Sequence, residues 1–388
     1  MQRVLEAHRT EYESFPDIVA RAPGRFHLMG EHSWFFGDKT LSMAVDLPVY
    51  VAISLRRDTA LRFHFPQLKE RKRANLSTLK YRREDRWANF VKAIIYGFNE
   101  QEFPLKGMNI TVFSDVLPAS GFGITTAIKA ASAVAFRELF DLRCTDDQIL
   151  LGIEKGNVEF LNGLNLPMDL YPALFSKPGT CILTDHSAER FDYLPFEFED
   201  AVVLLTDARV PRIPVWDEDG LRTQENLNLL QELRQNRNGV SGYDTSNEEV
   251  KEVLGDLDEE VRRRLICIMQ ELHCVNNTVD ALSSGNFAAL CRAVNQSQTG
   301  MRELFEMSCP ETDWLIKRVM ELDTTGRKEH ASSRITGKGF GGCTYTILSQ
   351  KDVDTYRQKL IEYERIFGFH PVLYPVQPVQ GASVVEKD

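Results

Sequence analysis

Long apolar runs are missing from this 388-residue chain. The longest are short, as in Ala201–Leu205, far below the roughly 20 residues a membrane helix needs. A helical membrane span is therefore excluded. The opening Met1–Arg9 carries Arg3, Glu6 and His8 and lacks the apolar core of a secretory leader, so the expected compartment is the cytoplasm. Paired cysteines are missing as well. The seven cysteines are odd in number, scattered, and never at a Cys-x-x-Cys spacing. That pattern argues against a zinc knuckle or a redox pair and for reduced, mostly buried thiols. There is no low-complexity tract and no repeat at a solenoid period. Excess positive charge is also absent. A net charge of −10 repels phosphate backbones, so neither nucleic acid nor a membrane is an expected partner. A small anionic ligand stays open, because a local positive pocket can outweigh the global field.

What is present is the mix of a globular protein, 43% hydrophobic and 26% charged, long enough for two cores. The first half mixes strand and helix. Val49, Val51, Ile53 and Leu55 alternate with smaller or polar neighbours, which predicts a strand opened by Pro48. Phe90, Ile94 and Phe98 recur at helical spacing within 87–98, and Met108, Ile110 and Val112 share one side of a second strand. A turn-rich loop, 117–126, leads into an alanine-rich stretch, 127–140, that predicts a helix. The second half is more helical. Val261, Leu265, Ile268, Leu272, Val275, Val279 and Leu282 form one apolar stripe, expected to face a core. The expected boundary lies between residues 185 and 201, giving domains 1–195 and 196–388. Segments 217–220 and 236–249 are polar and turn-rich and read as loops.

Three segments carry chemistry. Ser120-Gly-Phe-Gly-Ile-Thr-Thr126 opens a helix. Unpaired N–H groups at a helix N-terminus stabilise anionic oxygens, and glycines let the backbone come close. Thr125 and Thr126 add hydroxyls for phosphate or Mg²⁺. No lysine follows the last glycine directly, so this is not a P-loop. Lys129 sits one helical turn on, facing either phosphates or solvent. A tight strand-to-helix turn explains the loop equally well. The second segment is Gly337-Lys-Gly-Phe-Gly-Gly342, for which a hairpin turn is a sufficient account. The third, Arg21-Ala-Pro-Gly-Arg-Phe-His-Leu-Met-Gly-Glu-His32, packs charge around two glycines. Its two histidines are spaced wrongly for a zinc pair on one helix face, so substrate contacts or a buried ion pair are the expectation.

Taken together and in order, these segments resemble the GHMP small-molecule kinases, and within them the galactokinase family. The resemblance rests on 22–32, on Trp87-Ala-Asn-Phe-Val-Lys92, on 118–127, on Met168-Asp169, and on the segments 307–311 and 334–343. It implies an α+β fold of two domains with the active site in the cleft between them. It implies transfer of the γ-phosphoryl of ATP, with Mg²⁺, to the anomeric hydroxyl of galactose or a related monosaccharide. By position, Asp169 would accept the hydroxyl proton, and Arg25 would hold it ionised and stabilise charge on the phosphoryl. Glu31, His32 and Trp34 would meet the sugar. Trp87 would lie near the adenine. Ser120, Gly121, Gly123, Thr125 and Thr126 would cradle phosphates, with Thr126 the Mg²⁺ ligand.

The chain departs from the pattern where sugar and metal are concerned. Trp34 stands where the family has a sugar-binding aspartate, and Asn157 where it has a glutamate for Mg²⁺. These departures motivate a second reading, a galactokinase-like regulatory protein that binds sugar and nucleotide without turnover. A GHMP kinase for a non-sugar alcohol ranks third.

Overall fold

The computed structural model describes residues 1–36, 39–116, 121–213, 223–224, 226–229, 254–255, 257–323, 326–327, 329–337 and 340–385. The loop-like segments 217–220 and 236–249, together with Ser120 and Lys338, lie outside the described residues. In chain order the strands are β1 (Ile18–Met29), β2 (Lys39–Leu55), β3 (Ala60–Phe65), β4 (Glu70–Asn75), β5 (Met108–Ser114), β6 (Thr180–Asp185), β7 (Arg190–Pro195), β8 (Ala201–Ile213), β9 (Ala331–Thr336), β10 (Phe340–Ser349), β11 (Val372–Val376) and β12 (Ser383–Val384). The main helices are α1 (Gln2–Tyr12), α2 (Ala88–Asn99), α3 (Ile124–Leu139), α4 (Asp146–Lys155), α5 (Pro167–Phe175), α6 (Glu259–Ser284), α7 (Phe287–Glu303), α8 (Pro310–Met320) and α9 (Val353–Phe367). No helix among the described residues is long and apolar enough to cross a membrane.

The chain divides into two compact units, and neither is a continuous segment. Unit 1 comprises residues 1–26, 44–178 and 378–388; unit 2 comprises 27–43 and 179–377. A single cut near residue 195 does not describe this division. The reason is the length of β1 and β2, each of which contributes residues to both units. The C-terminal segment also returns to unit 1, where β12 pairs antiparallel with β1 through Ala20 and Val384.

In unit 1 the sheet runs β12-β1-β2-β5-β3-β4. β2 pairs antiparallel with β5 from Val49 to Leu55, as the alternation of 49–55 predicts. Pro48 does not open the strand, however. It lies within β2, between the stretch paired with β6 and the stretch paired with β5. The gap between those two ladders is a position where a proline is tolerated within a strand. Helix α2 starts beside the buried Trp87 and buries Val91, Ile94, Ile95 and Phe98. Helix α4 is closed at its start by a reciprocal Thr145–Gln148 capping box, which satisfies two orphan N–H groups. Its end passes into one π turn, Gly156–Phe160.

In unit 2 a four-stranded antiparallel sheet runs β11-β8-β10-β9. The apolar stripe of 261–282 lies on α6, whose Leu265, Ile268 and Leu272 pack with Met301, Phe305 and Ile335. Gly285 ends that helix in the left-handed conformation, and Asn286 caps α7 by accepting from Ala289 N. Tyr356 and Tyr363 of α9 pack with Leu204 and Leu348 of the sheet. All seven cysteines are free and six are buried. Burial pushes the Cys181 and Cys291 thiols up to about 12, which leaves them inert.

Candidate active site

Arg25 and Asp169 are 144 residues apart in sequence, yet unit 1 brings them together. Arg25 lies on β1. Asp169 lies in the first turn of α5, a helix opened by Pro167. The helix dipole favours a carboxylate in that first turn. The Arg25 guanidinium donates to Asp169 Oδ1, and the two side chains keep 11% and 23% of their surface exposed, so a ligand can reach them.

The glycine loop is tied to the same strand. Arg25 N donates to Phe122 O at 2.7 Å, and Phe122 is fully buried. Gly123 precedes α3 with φ +71°, and a Cβ there would stand 2.6 Å from Arg25 Cγ. Only glycine allows both that backbone and that approach. Thr126, in the first turn of α3, is 4% exposed, Thr125 is partly exposed, and Gly121 also has positive φ.

Lys129 was legible as one turn into the helix, but its direction was not. Its Nζ donates to Asn157 Oδ1 at 2.6 Å, and Asn157 sits on the π turn after α4. Asn157 Nδ2 in turn donates to Asn165 Oδ1 at 2.9 Å. Burial pushes the Lys129 pKa down to about 8; Asp169 pulls it back up and Arg25 adds to the depression. π turns recur at functional sites because they re-aim a side chain that an α-helix would point elsewhere. The metal expectation changes here. Both ends of the Asn157 side chain are engaged within the protein, and an ammonium sits on its carbonyl. A divalent cation held by side chain 157 does not fit. One carried in on nucleotide phosphates, meeting the Thr126 hydroxyl, fits the residues present.

Trp87 is a core side chain of unit 1. It is 3% exposed, its Nε1 donates to Glu70 Oε2 at 2.8 Å, and it packs edge-on with Phe63 and Phe65. At that exposure it offers no open stacking platform for a base.

Unit 2 holds the rest of the charged N-terminal segment. Glu31 is fully buried, and its two oxygens accept from Arg334 Nη1 at 2.8 Å and Nη2 at 3.2 Å. Arg334 also donates to Glu271 Oε1 at 2.9 Å and to Ser297 Oγ at 2.7 Å, and Ser297 donates to the second Glu271 oxygen. Gly30 N closes the network on Glu271 at 2.9 Å. Burial alone would raise the Glu31 carboxyl, but Arg334 outweighs it and holds that carboxyl down to about 2. Arg334 takes one acceptor site on each Glu31 oxygen, of the roughly four that a carboxylate offers. His32 is also fully buried, tilted against Phe305 at 5.6 Å. Trp34 keeps partial exposure, beside Phe35 and His186. Arg334, Glu271 and Lys129 are the functional-looking residues that sequence reading missed or left undirected. Arg334 and Glu271 lie 63 residues apart on unrelated elements, and no spacing links them.

Comparison with known proteins agrees with this picture. The galactokinase galactose-binding signature matches residues 6–55, and the GHMP kinase N-terminal domain matches residues 89–177. The chain is 38% identical over 385 residues to a protein named "Putative galactokinase" in Treponema pallidum, covering 99% of this chain and 97% of that one. It is 24% identical to the galactokinase of Thermotoga maritima, covering 95% of this chain and all of the relative. Among solved structures, Lactococcus lactis galactokinase complexed with galactose superposes with a TM-score of 0.82 at 19% identity, covering 98% of this chain and 99% of that one. Mevalonate kinase from Methanococcus jannaschii gives 0.66 at 14%, covering 94% and 98%; these two establish the fold. With a 38% relative spanning nearly its whole length, the chain belongs to the galactokinase family of GHMP kinases.

Proposed function

We propose that this protein is an ATP-dependent sugar kinase, transferring the γ-phosphoryl of ATP to the anomeric hydroxyl of galactose or a related monosaccharide in the cytoplasm. The observation that carries the reading is the accessible Arg25–Asp169 pair, interlocked with the glycine loop that opens α3. Phosphoryl transfer asks mainly for positioning and for charge neutralisation. Asp169 accepts the proton of the attacking hydroxyl. Arg25 fixes that carboxylate and offers its remaining N–H groups to charge building on the transferring phosphoryl. The amides after Gly121 and Gly123 and the hydroxyls of Thr125 and Thr126 hold the phosphates at the positive end of α3. Mg²⁺ carried on those phosphates would supply charge neutralisation, with Thr126 as its protein contact. Trp34 stacks on a sugar face, since an indole has no acceptor for a hydroxyl.

Relatives named as galactokinases over the full length support turnover and do not favour the regulatory reading. The decisive measurement mixes pure protein, Mg-ATP and a panel of monosaccharides and follows ADP release. Sugar-dependent release with galactose or a close epimer is the expected result. ADP release that no sugar stimulates overturns the proposal.

A further inference from the structure

Two lysines of unit 1, the buried Lys92 and the half-buried Lys129, differ in one respect. Lys92, 1% exposed, is compensated by a carboxylate: it donates to Asp85, and also to Lys80 O at 3.2 Å. That is how a protein satisfies an ammonium it keeps for structure. Lys129 has no such partner. Among the described residues its hydrogen bond is to the neutral amide of Asn157. Glu159, the acid on the same π turn, accepts from Tyr96 Oη at 2.9 Å instead. A neutral carbonyl does not repay the desolvation of an ammonium, and an apolar side chain of similar length would fill the same space at less cost.

The surroundings say what the charge is for. Lys129 lies one turn beyond Thr126 on α3, α3 packs against α5, which carries Asp169, and Arg25 crosses Gly123 at the start of α3. Arg25 thus contacts the Asp169 carboxylate directly, and Lys129 feels its charge without a hydrogen bond to it. Among the described residues named here, Arg25, Lys129 and Asp169 sum to one positive charge.

We propose that Lys129 is a positioning residue of phosphoryl transfer, its ammonium seated on Asn157 Oδ1 and supplying fixed positive charge beside the Arg25–Asp169 pair for the nucleotide's terminal phosphates. This rests on the kinase reading above. It assigns to a side chain, within the protein, part of the positive charge that a metal ion held at position 157 would otherwise bring. Asn157 is then the residue that aims the lysine, and the π turn is the backbone device that aims Asn157.

Two variants test it. Lys129→Met removes the charge and keeps the length. Asn157→Asp keeps the lysine but gives it the carboxylate that Lys92 already has. Each is compared with wild type in three measurements: melting temperature, calorimetric titration of ATP in EDTA, and sugar-dependent ADP release. For Lys129→Met we expect kcat lower by about 100-fold, ATP affinity without metal lower by about tenfold, and a melting temperature equal to or above wild type. Asn157→Asp moves all three the same way by less. A purely structural lysine gives the opposite pattern, a lower melting temperature with kcat and ATP affinity within about twofold of wild type, and that result overturns the inference. Should Lys129→Met fail to fold, Asn157→Asp decides by the same criteria. Should wild type release no ADP with any sugar, the kinase reading fails by itself, and the EDTA titration still decides whether Lys129 serves the phosphates. Wild type that binds no ATP overturns both.

Discussion

The two units use the same chemical pair in opposite ways. In unit 1, Arg25 meets Asp169 with both side chains partly open to solvent. In unit 2, Arg334 meets Glu31 and Glu271 with none of the three exposed beyond 1%. A guanidinium–carboxylate pair with some solvent exposure is partly screened by water and can be reached by a ligand. A sealed cluster is the reverse. Each oxygen of Glu31 and Glu271 has a donor from within the unit, and none of the three side chains is open to solvent. Burial therefore separates the two arrangements where residue type cannot: Arg25 and Glu31 lie six positions apart in one segment and differ in exposure.

The largest effect that could break this comparison is on turnover. Asp169→Asn is expected to lower kcat by about 10³-fold, the loss of a general base, while ATP affinity and melting temperature hold. Steady-state kinetics beside calorimetry measures this. Wild-type rates in the variant would remove Asp169 from the reaction and reduce the open pair to a surface ion pair. The counterpart in unit 2 acts on folding. Arg334→Met strands two carboxylates without their cation, which costs about 3–5 kcal/mol. Urea denaturation reads it. A loss below about 1 kcal/mol would mean that water reaches Glu31 and Glu271, and the sealed description would fail.

Acid separates the units in a third way. The folded Glu31 carboxyl sits near 2, below its ordinary 4.5. Between those values the unfolded chain binds the extra proton, so the contribution is complete above about pH 4.5 and is lost as pH falls toward 2. In unit 1, His8 is fully buried between Thr111 Oγ1 at 2.9 Å and Ser54 Oγ at 3.0 Å. Burial, the largest cause, lowers its pKa from 6.5 to about 4. Here too the unfolded chain binds the extra proton in between, so stability is complete above pH 6.5 and declines as pH falls toward 4. Unfolding free energy measured from pH 8 to 2.5 should fall in two windows. Glu31→Gln should flatten the lower window only. If it flattens the upper one, the assignment of windows to residues is wrong.

Much of the fold was legible, and the limits have physical causes. The stripe from Val261 to Leu282 returned as α6, and the alternation from Val49 to Leu55 returned as a paired strand, because both periods report which face is buried. Pro48 misled, since a proline marks a gap in one ladder and not the end of a strand. The division at 195 failed because β1 and β2 each serve both units, and no composition shift marks a strand that passes through two cores. Arg25 and Asp169 were legible by resemblance alone; the spacing of 144 residues carries no information about contact. The Lys129–Asn157 bond depends on a π turn, which a propensity argument cannot locate. Arg334 stands at the head of a glycine-rich segment, but nothing local to it announces a buried partner at 31 or 271.

The smallest effect is the sharpest test of whether the sealed cluster is only structural. Ser297 joins Arg334 to Glu271 through one hydroxyl, accepting from the first and donating to the second. Ser297→Ala leaves both charges paired with each other and removes the bridge. The expected loss is about 1–2 kcal/mol, that of one buried hydrogen bond to charged groups, with kcat unchanged. Chemical denaturation and a rate assay on the same preparation decide it. If stability holds and kcat falls instead, the cluster that closes around Glu31 is sensed by the chemistry of the open pair, and burial would no longer separate the two roles. If stability falls and kcat holds, the two guanidinium–carboxylate sites act independently, as their exposure indicates.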